Sequence, residues 1–81
     1  MLEVGRILKA HGIRGDVKTE SFMDSPDCFL SIKQFFIDGK PYFTERITVH
    51  RGFLLIKFKG VDTANDAETL RGKTLLCEHV A

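Results

Sequence analysis

The chain has 81 residues, of which 43% are hydrophobic and 28% charged, and its formal net charge is +1. A chain of this length forms one small domain, and the near-neutral charge excludes the strongly basic composition of a dedicated nucleic-acid binder. The sequence shows neither a signal peptide nor a run of about 18 apolar residues that would predict a membrane span. Two widely spaced cysteines do not indicate a disulfide framework. We therefore expect a cytoplasmic protein.

Alternation of hydrophobic and polar residues predicts strands through most of the chain. In chain order they are residues 2–9, 16–22, 32–38, a short segment at 42–44 followed by 46–50, 53–60, and 74–78. Turn formers at 24–27 precede a predicted short helical turn, and the sequence Asp-Gly-Lys-Pro at 38–41 predicts a tight turn between strands.

One α-helix is predicted in residues 63–72, with Thr63 as its N-cap and Asp66 in the capping-box position. Ala67 and Leu70 share the face that would pack on the strands, and Gly72 ends the helix. Six short strands and one helix predict an all-β fold. A small barrel and a partly open sandwich both fit this pattern, and a closed barrel is preferred because closure removes exposed strand edges.

The sequence contains no recognisable catalytic constellation. The three histidines, His11, His50 and His79, are far apart and do not have the spacing of metal ligands, so we expect neither a metal nor a cofactor. Cys28 and Cys77 are interpreted as small core side chains. The sequence Gly-Ile-Arg-Gly lacks the Gly-Lys-Ser/Thr ending of a phosphate-binding loop.

Two other patterns are given structural interpretations. The aromatic residues in the middle of the chain could stack nucleic-acid bases, but in so small a protein most of them are predicted to be buried in the core: Phe35, Phe36, Tyr42, Phe43 and Phe53. A base-rich stretch at 51–60, with Lys57, precedes an acid-rich stretch at 61–70, with Asp62. This mild asymmetry is interpreted as a solvated face.

The segment His-Gly-Ile-Arg-Gly-Asp-Val-Lys, residues 11–18, is the main candidate for function. Gly12 and Gly15 suit a tight connection between antiparallel strands. In one interpretation Ile13 packs back onto the end of the barrel. In the other it projects as an apolar anchor, with Arg14 and Lys18 as polar partners. The Gly-x-x-Gly spacing also matches KH domains, but their motif joins two helices, whereas both flanks here are predicted strands.

Two blocks of the sequence resemble the RimM family of ribosome maturation factors. The first is VGRILKAHGIRGDVKTESFMDSP at 4–26, and the second is FKGVDTANDAETLRGKTLLC at 58–77. The matching signature positions are His11, Gly12, Ile13, Arg14, Gly15, Asp16, Val17 and Lys18 in the first block, and Gly60, Ala67, Leu70, Arg71, Gly72 and Leu75 in the second. The two blocks cover about half of the chain.

The resemblance implies a six-stranded antiparallel β-barrel related to the barrel domain of translation elongation factors. It also implies a non-enzymatic role in assembly of the small ribosomal subunit and processing of its RNA, at the subunit head, with small-subunit ribosomal protein nineteen and ribosomal RNA as partners. Family members carry a second barrel, of the PRC type, after this one. We therefore expect residues 1–81 to be a single N-terminal barrel domain.

The leading hypothesis is a binding module whose partner-binding residues are His11, Gly12, Ile13, Arg14, Gly15 and Lys18. Arg71 and Gly72 are interpreted as the end of the helix. Two alternatives stay open: a scaffold that docks its own PRC domain, and a generic small barrel that binds RNA. An enzyme on a small barrel is the least favoured hypothesis, because it needs a concave pocket with convergent ionisable groups.

Overall fold

The computed structural model describes residues 2–22, 26–50 and 52–78, and the side chains of all of these except 26–28. The described residues form six strands, namely β1 (Leu2–His11), β2 (Asp16–Ser21), β3 (Gln34–Ile37), β4 (Lys40–His50), β5 (Phe53–Phe58) and β6 (Thr74–Cys77). A 3₁₀ helix covers Pro26–Ser31, and one α-helix, α1, covers Ala64–Glu68.

All strand pairs are antiparallel, and the sheet closes in the order β1-β2-β5-β4-β3-β6. The predicted six-stranded barrel is therefore confirmed. Asp38 and Gly39 join β3 to β4 with positive φ angles of 54° and 80°, which is the backbone of a type I′ hairpin turn. The turn predicted from the Asp-Gly pair is confirmed as well.

The fourth strand differs from its prediction. The segments 42–44 and 46–50 are one strand, β4, whose register against β5 shifts between Thr44 and Arg46. One extra residue, Glu45, therefore forms a bulge there, and a bulge breaks the alternation that would have marked one long strand. Six other predicted strand ends move by two residues or fewer: β1 ends at His11, β2 at Ser21, β5 at Phe58 and β6 at Cys77, and β3 spans Gln34–Ile37.

The predicted helix is shorter than expected. Thr63 caps it, because its hydroxyl accepts a hydrogen bond of 3.1 Å from the backbone N–H of Asp66. After Glu68, turns of the 3₁₀ type continue as far as Lys73. Gly72, at φ 78°, lies within the last of these turns and donates its N–H to the Ile7 carbonyl at 2.7 Å. The interpretation of Arg71 and Gly72 as the end of the helix is therefore wrong, because α1 ends at Glu68 with Thr69 as its C-cap. The bond from Gly72 instead docks this segment on β1.

The core fills the barrel interior and continues under α1. Its buried residues are Val4, Ile7, Val17, Phe29, Ile32, Phe35, Ile37, Leu54, Ile56, Phe58, Val61, Ala67, Leu70, Leu75 and Cys77. Phe35 packs between Phe29 and Phe58, with ring centroids 5.7 and 6.0 Å apart. The core interpretation of Cys77 is confirmed, whereas the side chain of Cys28 lies outside the described residues.

The aromatic residues divide by their position along each strand. The core prediction is confirmed for Phe35, and Tyr42 packs against the core beside Phe58. It is wrong for Phe43, which is 51% exposed, while Phe53 is half-buried on the outer side of β5, where its ring contacts Lys18. The physical reason is the two-residue period of a strand, which sends neighbouring side chains to opposite faces. Phe36 is half-buried.

Candidate partner-binding site

The turn between β1 and β2 consists of residues 12–15 and is anchored at only one of its two glycines. Gly15 has φ 95°, and a Cβ atom added to it would lie 2.1 Å from the carbonyl oxygen of Val61. Gly12 also has a positive φ, 74°, but a Cβ atom there would meet nothing within 4 Å. The Gly15 side of the turn is thus packed against the segment that leads into α1, and the Gly12 side is open.

The residues that follow Gly15 contribute to the fold. Asp16 accepts a hydrogen bond of 3.1 Å from the guanidinium of Arg46, and its side chain is only 18% exposed. Val17 is fully buried in the core. The second half of the His-Gly-Ile-Arg-Gly-Asp-Val-Lys segment therefore ties the turn to β4 and to the barrel interior.

Lys18 lies on the outer face of the barrel, over the ring of Phe53. Its ammonium nitrogen is 4.4 Å from the ring centroid, within the range of a cation–π interaction. The structure therefore groups Lys18 with β5, although the sequence grouped it with Ile13 and Arg14. Of the predicted partner-binding residues, Gly15 and Lys18 have clear structural contacts of their own.

The remaining four predicted residues, His11, Gly12, Ile13 and Arg14, are exposed. Ile13 is 84% exposed, the largest value among the large hydrophobic residues that the structure describes, so the interpretation in which it packs back onto the barrel is wrong. Among the residues that the structure describes, none forms an ion pair or a side-chain hydrogen bond with Arg14. We call these four residues the exposed half-turn. It offers a partner one apolar side chain and one guanidinium.

A buried lysine, which was not predicted from the sequence, stabilises the segment on which this turn packs. Lys57 is 8% exposed, and its ammonium donates to the Phe58 carbonyl at 2.8 Å and to the Asp62 carboxylate at 3.0 Å. Glu45, the bulge residue of β4, lies 3.5 Å from the same ammonium. These contacts hold the chain around Val61, on which Gly15 rests. Ionised groups are rarely buried without such partners.

A second group missed from the sequence lies on the outer face of the barrel. The imidazole of His50 stacks on the ring of Phe53, with centroids 5.4 Å apart and planes 9° from parallel. Lys18 covers the same ring, and Lys9 lies directly opposite Lys18 on β1. We call Lys9, Lys18, Phe53 and His50 the cationic–aromatic face. The alternation of β5 was the signal that could have placed Phe53 outside.

The described residues contain neither a metal-binding cluster nor a membrane-spanning helix. Across 2–22, 26–50 and 52–78, no group of three or more His, Cys, Asp or Glu side chains could hold a metal ion. His79 lies outside that part of the chain. No helix within it is long and apolar enough to cross a membrane.

A protein-family model described as RimM N-terminal domain matches residues 2–81. Two curated relatives, both named ribosome maturation factor RimM, come from Clostridium botulinum (34% identical, covering 90% of this chain and 44% of the relative) and Acidothermus cellulolyticus (39% identical, covering 93% and 44%). The chain thus spans somewhat less than half the length of these relatives.

Two solved structures share the fold. A crystal structure of a RimM protein from Pseudomonas aeruginosa, whose name refers to processing of 16S ribosomal RNA, is 32% identical. It has a TM-score of 0.84 and covers 91% of this chain and 48% of that one. The solution structure of the N-terminal domain of RimM from Thermus thermophilus is 20% identical, with a TM-score of 0.83 and coverage of 95% and 87%.

Proposed function

Because the chain belongs to the RimM N-terminal domain family, we propose that it is a non-enzymatic module of ribosome maturation in the cytoplasm. In this proposal it assists assembly of the small (30S) ribosomal subunit and processing of its RNA. It binds at the subunit head, where small-subunit ribosomal protein nineteen and ribosomal RNA are its partners. The names of its relatives support the general role in ribosome maturation. The relatives are more than twice as long as the matched region, and the second domain that the resemblance implies, of the PRC type, is part of this proposal.

The observation that carries the proposal is the exposed half-turn. Placing an isoleucine in water at the tip of a turn does not help a monomeric fold, whereas burying it against a partner stabilises a complex by roughly 1.5–3 kcal/mol. The guanidinium of Arg14, next to it, is suited to bidentate recognition of a phosphate or a carboxylate. Together they form a small apolar anchor with an adjacent charge.

The contacts that hold the exposed half-turn in place before binding favour its affinity for a partner. Gly15 rests on Val61, Asp16 is bonded to Arg46, and Val17 is buried, so the turn is already fixed before a partner arrives. Ordering a loop on association lowers affinity, and a loop that is already ordered avoids that loss. The glycine at position 12 leaves open space around the backbone, which lets a partner approach closely.

The test is retention of immature small subunits by the immobilised 81-residue chain at two salt concentrations. The parent is compared with a double variant, Ile13→Ala and Arg14→Ala. A matched control, Leu30→Ala and Lys33→Ala, removes one exposed apolar side chain and one exposed charge from another part of the barrel. Thermal unfolding of each variant shows whether the fold is kept.

We expect the half-turn variant to lose subunit retention by at least about tenfold while its melting temperature stays within a few degrees of the parent. The control should retain subunits like the parent. Retention by the parent should fall with salt if Arg14 contacts phosphate. Equal retention by all three proteins would contradict the proposal, and so would a large loss of stability in the half-turn variant, because Arg14 would then be structural.

A second candidate function is docking of the PRC domain, and the opposite end of the barrel favours it. Leu2 is 55% exposed and Phe22 is 48% exposed. Leu2 pairs with Cys77 at the end of β6, and Phe22 donates its N–H to the Val4 carbonyl, so both lie near the point where the last strand ends. Changing Leu2 and Phe22 to serine should weaken binding of a separately expressed C-terminal half of a RimM protein, measured by calorimetry. Unchanged binding would exclude this surface.

A further inference from the structure

We propose that the cationic–aromatic face binds single-stranded RNA, with a base stacked on His50 and the adjoining phosphates held by Lys9 and Lys18. The inference rests on the proposed function, since it names RNA as the partner of this barrel, but it concerns a surface other than the exposed half-turn. Its starting point is a pair of lysines, Lys9 and Lys18, which lie opposite each other on neighbouring strands and do not stabilise the fold.

Three cross-strand pairs line the outer side of β1 and β2. Arg6 lies opposite Glu20, His11 lies opposite Asp16, and between them Lys9 lies opposite Lys18. Residues directly opposite each other on antiparallel strands point to the same side of the sheet, and like charges in that position destabilise the pairing. The middle pair therefore works against the stability of the barrel, while its neighbour Arg6–Glu20 supports it with a hydrogen bond of 3.0 Å.

Among the residues that the structure describes, no acid forms an ion pair with either of the two lysines. The carboxylate of Glu20 is bonded to Arg6, and the carboxylate of Asp16 is bonded to Arg46. Within the described part of the chain, neither Lys9 nor Lys18 forms an ion pair. The face thus carries two adjacent uncompensated positive charges, which is the electrostatic complement of a polyanion.

Flat rings continue the same row of side chains. Lys9, Lys18, Phe53 and His50 lie on β1, β2, β5 and β4, which are consecutive neighbours in the barrel. Phe53 contacts both the Lys18 ammonium and the His50 imidazole. His50 is exposed, so its side chain is accessible to solvent as well as stacked on Phe53. Cations thus lie at one end of the row and an exposed flat ring at the other.

This order matches the chemistry of a nucleotide. Unpaired bases stack on the flat rings of aromatic or histidine side chains, while lysines neutralise the phosphates of the same strand. An acidic peptide would use the two lysines but would leave the stacked rings without a role. The combination of charge and stacking therefore favours RNA over an acidic protein segment.

The experiment is fluorescence anisotropy of a labelled oligouridylate of about ten nucleotides, titrated with the 81-residue chain over a range of salt concentrations. Lys9→Gln with Lys18→Gln removes the charges of the face. A matched control, Lys40→Gln with Lys59→Gln, makes the same change in net charge at two exposed lysines elsewhere. His50→Ala removes the stacking ring, and His50→Phe replaces it with another flat ring.

We expect the Lys9/Lys18 variant to reduce the slope of log affinity against log salt by about 1.4, the value for two phosphates on a single strand, and the control to leave the slope unchanged. His50→Ala should weaken binding about tenfold without changing the slope, and His50→Phe should restore it.

Absence of binding by the parent, or equal losses in the two lysine variants, would overturn the inference. Equally tight binding of polyglutamate that is insensitive to His50→Ala would also overturn it, by assigning the face to acidic protein. None of these outcomes bears on the half-turn, which is tested separately by subunit retention.

Discussion

A single added methyl group at Gly15 is expected to destabilise the barrel far more than the same change at Gly12. Both glycines have positive φ angles, 95° and 74°, so an alanine at either position pays roughly 1–2 kcal/mol for the left-handed conformation. Alanine also restricts the unfolded chain, which offsets about 0.4–1 kcal/mol of that cost. Gly12→Ala has open space around it and should therefore lower the free energy of unfolding by about 1 kcal/mol.

At position 15 the new Cβ would lie 2.1 Å from the carbonyl oxygen of Val61 and 2.8 Å from its carbonyl carbon. Both atoms belong to the backbone, so no side chain can rotate away, and either the turn or the segment before α1 must shift. Overpacking of this kind costs about 1–3 kcal/mol in addition to the strain. Gly15→Ala should thus lower the free energy of unfolding by about 2–4 kcal/mol, a large share of the roughly 4–12 kcal/mol expected for a domain of this length.

Urea unfolding followed by circular dichroism measures both variants, and each kcal/mol corresponds to about 4–8 °C in melting temperature for a domain of this size. Comparison of the two alanines cancels most of the conformational term and leaves the contact with Val61. If both variants lose the same stability, the packing of Gly15 on Val61 does not hold the turn, and the rigidity argued for the exposed half-turn fails with it.

Two further changes test the fold. Thr63→Ala removes the cap of α1 and should lower the free energy of unfolding by about 1 kcal/mol, while Thr63→Ser, which keeps the hydroxyl, should restore most of it; urea unfolding that shows no difference between the two would contradict the capping role. Thr19 is fully buried, and within the described residues its hydroxyl donates a long hydrogen bond of 3.5 Å to the Val17 carbonyl. Thr19→Val, of nearly the same shape, should leave the melting temperature equal or higher, and a clear decrease would show that this bond stabilises the barrel.

The parts of the fold predicted correctly from the sequence are those specified by residues close together in the chain. The Asp38–Gly39 turn needs two positive φ angles in a row, and that pair of residues tolerates them. The cap at Thr63 needs only a hydroxyl three residues before the N–H that it accepts from. Strand alternation is local in the same sense, and it failed at β4 where the bulge at Glu45 interrupts the period.

The sequence predicts the candidate site, but it does not show which of its residues support the fold and which are exposed. Which half of the turn is exposed depends on Val61, more than forty residues from Gly15, and on Arg46, thirty residues from Asp16. The base-rich and acid-rich stretches at 51–70 were interpreted as a solvated face, yet Lys57 from one is buried and bonded to Asp62 from the other. Composition cannot show such a pairing, because it does not distinguish an inward from an outward position.

Closure of the barrel also constrains how the protein is made. The first strand, β1, pairs with the last, β6, through partners such as Leu2 and Cys77, which are separated by nearly the whole chain. During synthesis, which adds about 5–20 residues per second, one side of β1 therefore has no partner until the final strand has left the exit tunnel. The hairpins β1–β2 and β4–β5 can form earlier, but the barrel can close only as its last residues emerge. Folding of this domain is thus timed by its C-terminal strand.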